Sequence, residues 1–215
     1  MASSNWANNT NPGTPSSGTT NVYPDSVKKR WTTIDDAGVI THMPMLIGNG
    51  SVSAASAAFA TDTYLSGSSI TIPVAGDWTV AETYRCGFDM VKTANGTAAF
   101  TVIVRMGTAG TTADPAILTL AFAVGTAAID TGWFDVNVNF RTVGAGTSAV
   151  IAGTLSCSHH LAATGLVTTG ASGFGLIVGT SAGFNSTTQT VIGLSVNGGT
   201  SFSGTNTIVQ AQLVK

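Results

Sequence analysis

The sequence predicts an all-β protein: an antiparallel β-sandwich, jelly-roll-like, with an extended N-terminal arm. Apolar and polar residues alternate with a period of two in several stretches. These stretches are short, and the segments between them are rich in Gly, Thr and Ser. No stretch has convincing helical periodicity. Regular short strands joined by such turns are typical of a sandwich or barrel.

Residues 1–45 are predicted to form the arm, and residues 46–215 the sandwich. Residues 1–22 are mostly Asn, Ser, Thr, Pro and Gly, a composition too polar to fold alone. The one basic cluster of the chain follows at residues 28–30. We expect the arm to be held by a partner protein, through aromatic anchors and an acidic patch that meets the basic cluster. The predicted contact residues are Trp6, Tyr23, Lys28, Lys29, Arg30 and Trp31.

The sandwich is predicted to contain about nine strands. Their expected ranges are 69–73, 83–92, 100–106, 118–124, 132–141, 149–159, 174–180, 190–197 and 207–214. The clearest alternation lies in 132–141, where every second side chain is apolar. The predicted core is Tyr84, Phe88, Phe100, Val104, Leu120, Phe122, Phe134, Val138, Phe140, Leu176, Leu194 and Leu213.

Charge is scarce, and this predicts a protein that works within an assembly. Charged residues make up 8% of the chain, where soluble domains usually carry about 25%. The net charge is −2, and no Lys, Arg, Asp or Glu occurs between Thr142 and Val214. Net charge normally keeps soluble proteins apart. The uncharged third is therefore a candidate for the interface of a homotrimer.

Catalysis is not expected, and neither a cofactor nor a metal is predicted. The sequence has no nucleophile elbow, phosphate-binding glycine loop or calcium-binding loop. Asp35 and Asp36 sit in a Gly-containing turn, where carboxylates usually shape the backbone. His159 and His160 are adjacent and so point to opposite faces of a strand. Cys157 shares a face with His159, which leaves a metal site as a minor alternative.

Targeting signals are not expected either. The first residues have neither a basic start nor an apolar core, so synthesis in a cytoplasm is predicted. No membrane contact is expected, because no window of about twenty residues is continuously apolar. The two cysteines, Cys86 and Cys157, are expected to be reduced thiols. Nucleic acid is not an expected partner, since nearby aspartates nearly cancel the three basic charges.

One strand offers a candidate patch for a glycan or a protein interface. Neutral β-surfaces bearing Trp and Asn can bind sugars, and Trp133, Asn137 and Asn139 share one face of the strand. Trp78 is a further candidate for this patch. The alternative is that Trp133 anchors a protein interface, because large aromatics concentrate at interface centres.

Four stretches, residues 29–38, 81–89, 191–197 and 208–213, resemble segments of small β-rich proteins from tailed-bacteriophage genomes. The resemblance implies a virion surface protein, made in the host cytoplasm and homotrimeric, whose arm fastens it to other virion proteins. Capsid cement or a head fibre is the expected role. A short tail fibre or spike that contacts a host glycan remains an alternative, as does a small jelly-roll coat protein. No catalytic residue is implied.

Overall fold

The computed structural model describes residues 11–26, 31–43, 45–47, 61–65, 68–71, 78–92, 99–124, 126–161, 164–166, 174–198 and 204–214. These residues form fourteen strands and no helix, so none of them could cross a membrane as a helix. The strands are β1 (Thr20–Pro24), β2 (Trp31–Asp35), β3 (Ile40–His42), β4 (Met45–Ile47), β5 (Thr63–Tyr64), β6 (Ile70–Thr71), β7 (Thr83–Lys92), β8 (Phe100–Gly107), β9 (Ala116–Phe122), β10 (Asp130–Thr142), β11 (Val150–His159), β12 (Phe174–Thr180), β13 (Val191–Gly198) and β14 (Gly204–Val214).

Two antiparallel sheets form the sandwich, which confirms the predicted fold class. The larger sheet has the order β12-β11-β10-β7-β14-β4. The smaller sheet has the order β5-β13-β8-β9, and β6 also pairs with β13. The early strands β7 and β8 pair with the late strands β14 and β13. This nesting of early strands with late ones wraps the chain as in a jelly roll.

The core lies between the sheets and follows from the alternation in the sequence. Along β10, every even-numbered residue from Asp130 to Phe140 is buried, and its odd-numbered neighbours are exposed or half-buried. Within each sheet, aromatic rings of paired strands stack on the core side, with centroids 4.8 Å apart for Phe88 and Phe134 and 4.6 Å for Phe100 and Phe122; between the sheets, the centroids of Phe122 and Phe134 are 6.1 Å apart. The buried residues include the predicted Tyr84, Phe88, Phe100, Val104, Leu120, Phe122, Phe134, Val138, Phe140 and Leu194.

The prediction for Leu176 was wrong. Its side chain is 52% exposed, as is Val178 at 67%. The opposite face of β12 carries Gly175, Ile177 and Gly179. Gly179 lies against β9, where an added Cβ would be 3.5 Å from Leu118, and Ile177 packs against the core. Because Leu176 and Val178 alternate with these residues, they face outward. Leu213 belongs to a strand whose side chains lie outside the description.

The predicted arm contains a small sheet of its own. Strands β1, β2 and β3 form an antiparallel meander in that order. The turn between β2 and β3 is built by Asp35, whose Oδ1 accepts hydrogen bonds from the amides of Ala37 and Val39. Asp36 accepts one from the amide of Gly18. These carboxylates thus shape turns, as predicted. The boundary at residue 45 stays a prediction, and β4, which begins there, pairs with β14.

Candidate binding surfaces

The outer face of the larger sheet centres on the neighbouring strands β7 and β10. Their antiparallel register places Asn137 opposite Arg85 and Asp135 opposite Gly87. Because successive residues alternate between faces, these four and Trp133 lie on the outer side. Arg85, Trp133, Asp135 and Asn137 are exposed. The pairing therefore brings together an aromatic ring, a guanidinium, a carboxylate and an amide.

The indole of Trp133 is held in place at two points. Its Nε1 donates a hydrogen bond of 3.0 Å to Oδ1 of Asp135. Its ring edge covers Gly87, where a Cβ would lie 2.7 Å from Cζ2 of the indole. Glycine at 87 thus provides the space in which the ring rests, and the side chain remains 39% exposed.

A groove of about 480 Å³ runs beside this ring, lined by Arg85, Cys86, Gly87, Trp133, Asp135, Val136 and Asn137. Neither the Arg85 nor the Asn137 side chain has a hydrogen-bond partner among the described residues. Within the described part of the chain, their donors and acceptors are therefore unused. We refer to this cavity as the β7–β10 groove.

Only two of the four predicted patch residues lie in the groove. Trp133 and Asn137 line the β7–β10 groove. Asn139 instead donates a hydrogen bond of 2.9 Å to the carbonyl of Ala81, a residue with a φ of 68°, so its amide stabilises a strained turn. The assignment of Trp78 to the patch was wrong, since its ring is buried, stacks on Phe140 and donates to Oγ1 of Thr190.

Sequence reasoning missed Arg85 and Asp135 as members of the groove. Both were visible as polar residues on one face of their strands, but β7 and β10 are not consecutive. Alternation alone does not tell which strands become neighbours. A search for outward polar residues flanking Trp133 in its own strand would have found Asp135.

The edge strand β12 is a second candidate surface. It ends the larger sheet, and its outward residues Leu176 and Val178 are exposed apolar side chains. The strand contains no charged residue and no proline. Natural edge strands usually carry such residues to prevent pairing with another chain. An uncovered, uncharged edge is therefore suited to contact another subunit.

The predicted arm contacts are only partly described. Tyr23 is buried at the end of β1, and Trp31, at the start of β2, is 42% exposed. Part of the Trp31 side chain therefore reaches solvent, whereas that of Tyr23 does not. Trp6, Lys28, Lys29 and Arg30 lie outside the described residues.

Two other ionisable side chains, those of His159 and Asp130, belong to a buried hydrogen-bond network. His159 Nδ1 and Asp130 Oδ2 are 2.8 Å apart with both side chains fully buried. Asp130 also accepts bonds from the amides of Leu161 and Leu166. Within the described part of the chain, no group of three His, Cys, Asp or Glu residues could hold a metal ion.

Both cysteines are buried free thiols, as expected from the sequence. Burial, aided by the negative charge of Asp135, raises the pKa of Cys86 to about 12. Burial likewise raises the pKa of Cys157 to about 12, with a further contribution from Asp130. Since the thiolate is the reactive form, both groups are chemically quiet in the folded protein.

Comparisons with known proteins give little more. No family model and no curated protein matches the sequence. The chain is similar to one in the "Structure of infectious bursal disease virus Gx strain", at 12% identity, over 86% of this chain and 48% of that one, with a TM-score of 0.19. This chain thus spans about half of that viral chain, and at such a TM-score the likeness carries no argument.

Proposed function

We propose that this protein is a non-enzymatic structural component of the surface of a tailed-bacteriophage particle. It associates with itself as a homotrimer through the β12 edge, and its N-terminal segment attaches it to other virion proteins. The expected role is that of capsid cement or a head fibre. The observation that carries the proposal is the exposed apolar edge strand β12.

The energetics of β12 support self-association. Leu176 and Val178 place two adjacent apolar side chains in water, and burial of apolar surface stabilises a contact by about 25 cal/mol per Å². The surrounding chain from Thr142 to Val214 has no charged residue, so a second copy would approach without charge repulsion or desolvation of ions. The free backbone groups of an edge strand can also pair with another chain.

The N-terminal segment supports attachment more weakly, through the exposed Trp31. Aromatic residues of this kind are common anchors at interface centres. Deleting residues 1–44, which spares β4, should leave the sandwich folded but prevent its recovery on purified particles. Copy number then separates the roles, because hundreds of copies per particle indicate head decoration and a few dozen at most indicate a fibre or spike.

Light scattering on the purified full chain tests the self-association. We expect a mass near three times 21.6 kDa, independent of concentration. Val178→Lys should convert the trimer to a monomer, because a buried unpaired ammonium is costly at an apolar contact. The matched control is Val80→Lys, since Val80 is a comparably exposed valine (58%) outside β12. A monomeric wild-type chain, or a trimer that survives Val178→Lys, would contradict the proposal.

A further inference from the structure

We propose that the β7–β10 groove is a carbohydrate site that takes a pyranose ring of a cell-surface glycan. One face of the sugar would pack on the indole of Trp133, and its hydroxyl groups would bond to Arg85, Asp135 and Asn137. The inference concerns the open face of the larger sheet. It does not depend on the self-association of β12.

The ring of Trp133 is preorganised for such a contact before a ligand binds. The hydrogen bond to Asp135 and the contact with Gly87 fix the indole, while 39% of the side chain stays exposed. A fixed platform loses little conformational freedom on binding. The C–H groups on the face of a pyranose carry partial positive charge, which is attracted to the negative face of an aromatic ring.

The polar groups beside the indole match the other side of a sugar. Arg85 supplies guanidinium donors, and Asn137 directly opposite supplies both donors and an acceptor. Asp135 has one carboxylate oxygen bonded to Trp133 and a second available as an acceptor. Each hydroxyl group of a sugar can donate and accept a hydrogen bond, so two neighbouring hydroxyl groups can bond to one planar side chain of this kind. The cavity of about 480 Å³ is within the usual range for small-molecule sites, about 300–1,000 Å³.

Other ligand classes fit the groove less well. An extended peptide would need a free strand edge, but β7 pairs with β10 and β14, and β10 also pairs with β11. The groove therefore offers side chains rather than backbone. A phosphate backbone would meet the Asp135 carboxylate beside a single guanidinium, whereas a neutral sugar meets no such repulsion.

Saturation-transfer NMR on the full chain is the direct test, with glucose, galactose and N-acetylglucosamine at millimolar concentration and an array of bacterial surface polysaccharides. We expect transfer to the ring protons of at least one sugar. Trp133→Ala should abolish the signal. Asn137→Ala, at an exposed position that does not threaten folding, should weaken affinity about tenfold. Trp31→Ala removes an exposed tryptophan elsewhere and should leave binding unchanged.

Two results would overturn the proposal. One is the lack of binding to every sugar and every polysaccharide of the array by wild-type protein with an intact amide NMR spectrum. The other is a role for the groove in a protein contact, which would appear as a change of oligomeric mass in Trp133→Ala. In contrast, binding that is lost in Trp133→Ala and weakened in Asn137→Ala, with the trimer intact, supports a sugar site.

Discussion

The two sheets of the sandwich present very different outer faces. On the larger sheet, polar side chains of β7 and β10 reach solvent around Trp133. On the smaller sheet, the outward residues Arg105 and Ser195 are buried under the chain near β5, where Leu65 bonds to the carbonyl of Leu194. The smaller sheet is therefore covered by the protein itself around Arg105, whereas the larger sheet is exposed around Trp133.

Two arginines, one on each outer face, illustrate this difference in burial. Arg105 on β8 donates to Oγ of Ser195 at 2.7 Å and to the carbonyl of Asp114, and it pairs with Asp62. Arg85 on β7 has no such partner among the described residues. A buried cation must be fully bonded to be tolerated, whereas an exposed cation needs no bond. The partners of Arg105 thus belong to the folded interior, whereas the exposed Arg85 is the arginine that the sugar proposal uses.

Replacing each of these arginines should give the largest difference between the two faces in the free energy of unfolding. Arg105→Ala leaves Asp62 and the carbonyl of Asp114 without their donor, so we expect a loss of about 3 kcal/mol in the free energy of unfolding. Arg85→Ala should change it by less than about 0.5 kcal/mol. Urea unfolding of both variants measures the contrast. Equal losses would mean that the face around Arg85 is also part of the folded interior.

Two glycines, one in each sheet and each covered by an aromatic ring, allow a second comparison, with a smaller expected effect on stability. At Gly193 a Cβ would lie 1.7 Å from the hydroxyl oxygen and 2.5 Å from Cζ of Tyr64. At Gly87 it would lie 2.7 Å from Cζ2 of Trp133. Both rings are held by a hydrogen bond, Tyr64 to Ser69 and Trp133 to Asp135, but the overlap with the added Cβ is smaller at Gly87, and a small shift of the indole edge toward solvent would relieve it.

We therefore expect Gly193→Ala to destabilise the fold by about 2 kcal/mol and Gly87→Ala by less than about 1 kcal/mol. Thermal unfolding measures both losses. A cycle that combines Gly193→Ala with Tyr64→Ala should be non-additive, because the second change removes the clash. If Gly87→Ala proved the more damaging, the indole would have to be as confined as the tyrosine.

The sequence was sufficient to find the long strands of the sandwich but not their neighbours. Alternation predicted β7 at its observed bounds, Thr83–Lys92, and most of β10. It also gave the inward faces of both strands, because a period of two leaves one choice of buried side. It did not pair β7 with β10, since register between distant strands depends on how the whole chain wraps. That pairing creates the groove.

The errors have specific physical causes. Leu176 was assigned to the core because large apolar residues are usually buried, but the residue of β12 that packs against the core is its neighbour Ile177, which leaves Leu176 on the outer side. Trp78 was assigned to a surface because it was considered without its buried partners, Phe140 and Thr190. In the arm, the strands β1 to β3 are at most five residues long, too short for alternation to distinguish them from an extended segment.

The reactivity of the Cys86 thiol tests whether β7, which carries part of the groove, is as rigid as β11 in the same sheet. Cys86 lies on β7 between the groove residues Arg85 and Gly87, with its thiol on the inner side. Burial raises its pKa to about 12, as it does for Cys157 on β11. We expect neither thiol to react with a disulfide reagent near about pH 8 in native protein, and both to react in urea.

The pH dependence of stability follows from the same shifts. The folded thiols keep their protons above the ordinary pKa of 9.0 and up to about 12, while the unfolded thiols release theirs near 9. Their contribution to stability is thus complete below about pH 9 and is lost as the pH rises toward 12. The double variant Cys86→Ala, Cys157→Ala should lack this alkaline loss. If Cys86 reacts in the native protein while Cys157 does not, then β7 opens locally, and a groove that opens is not the fixed sugar platform inferred from Trp133.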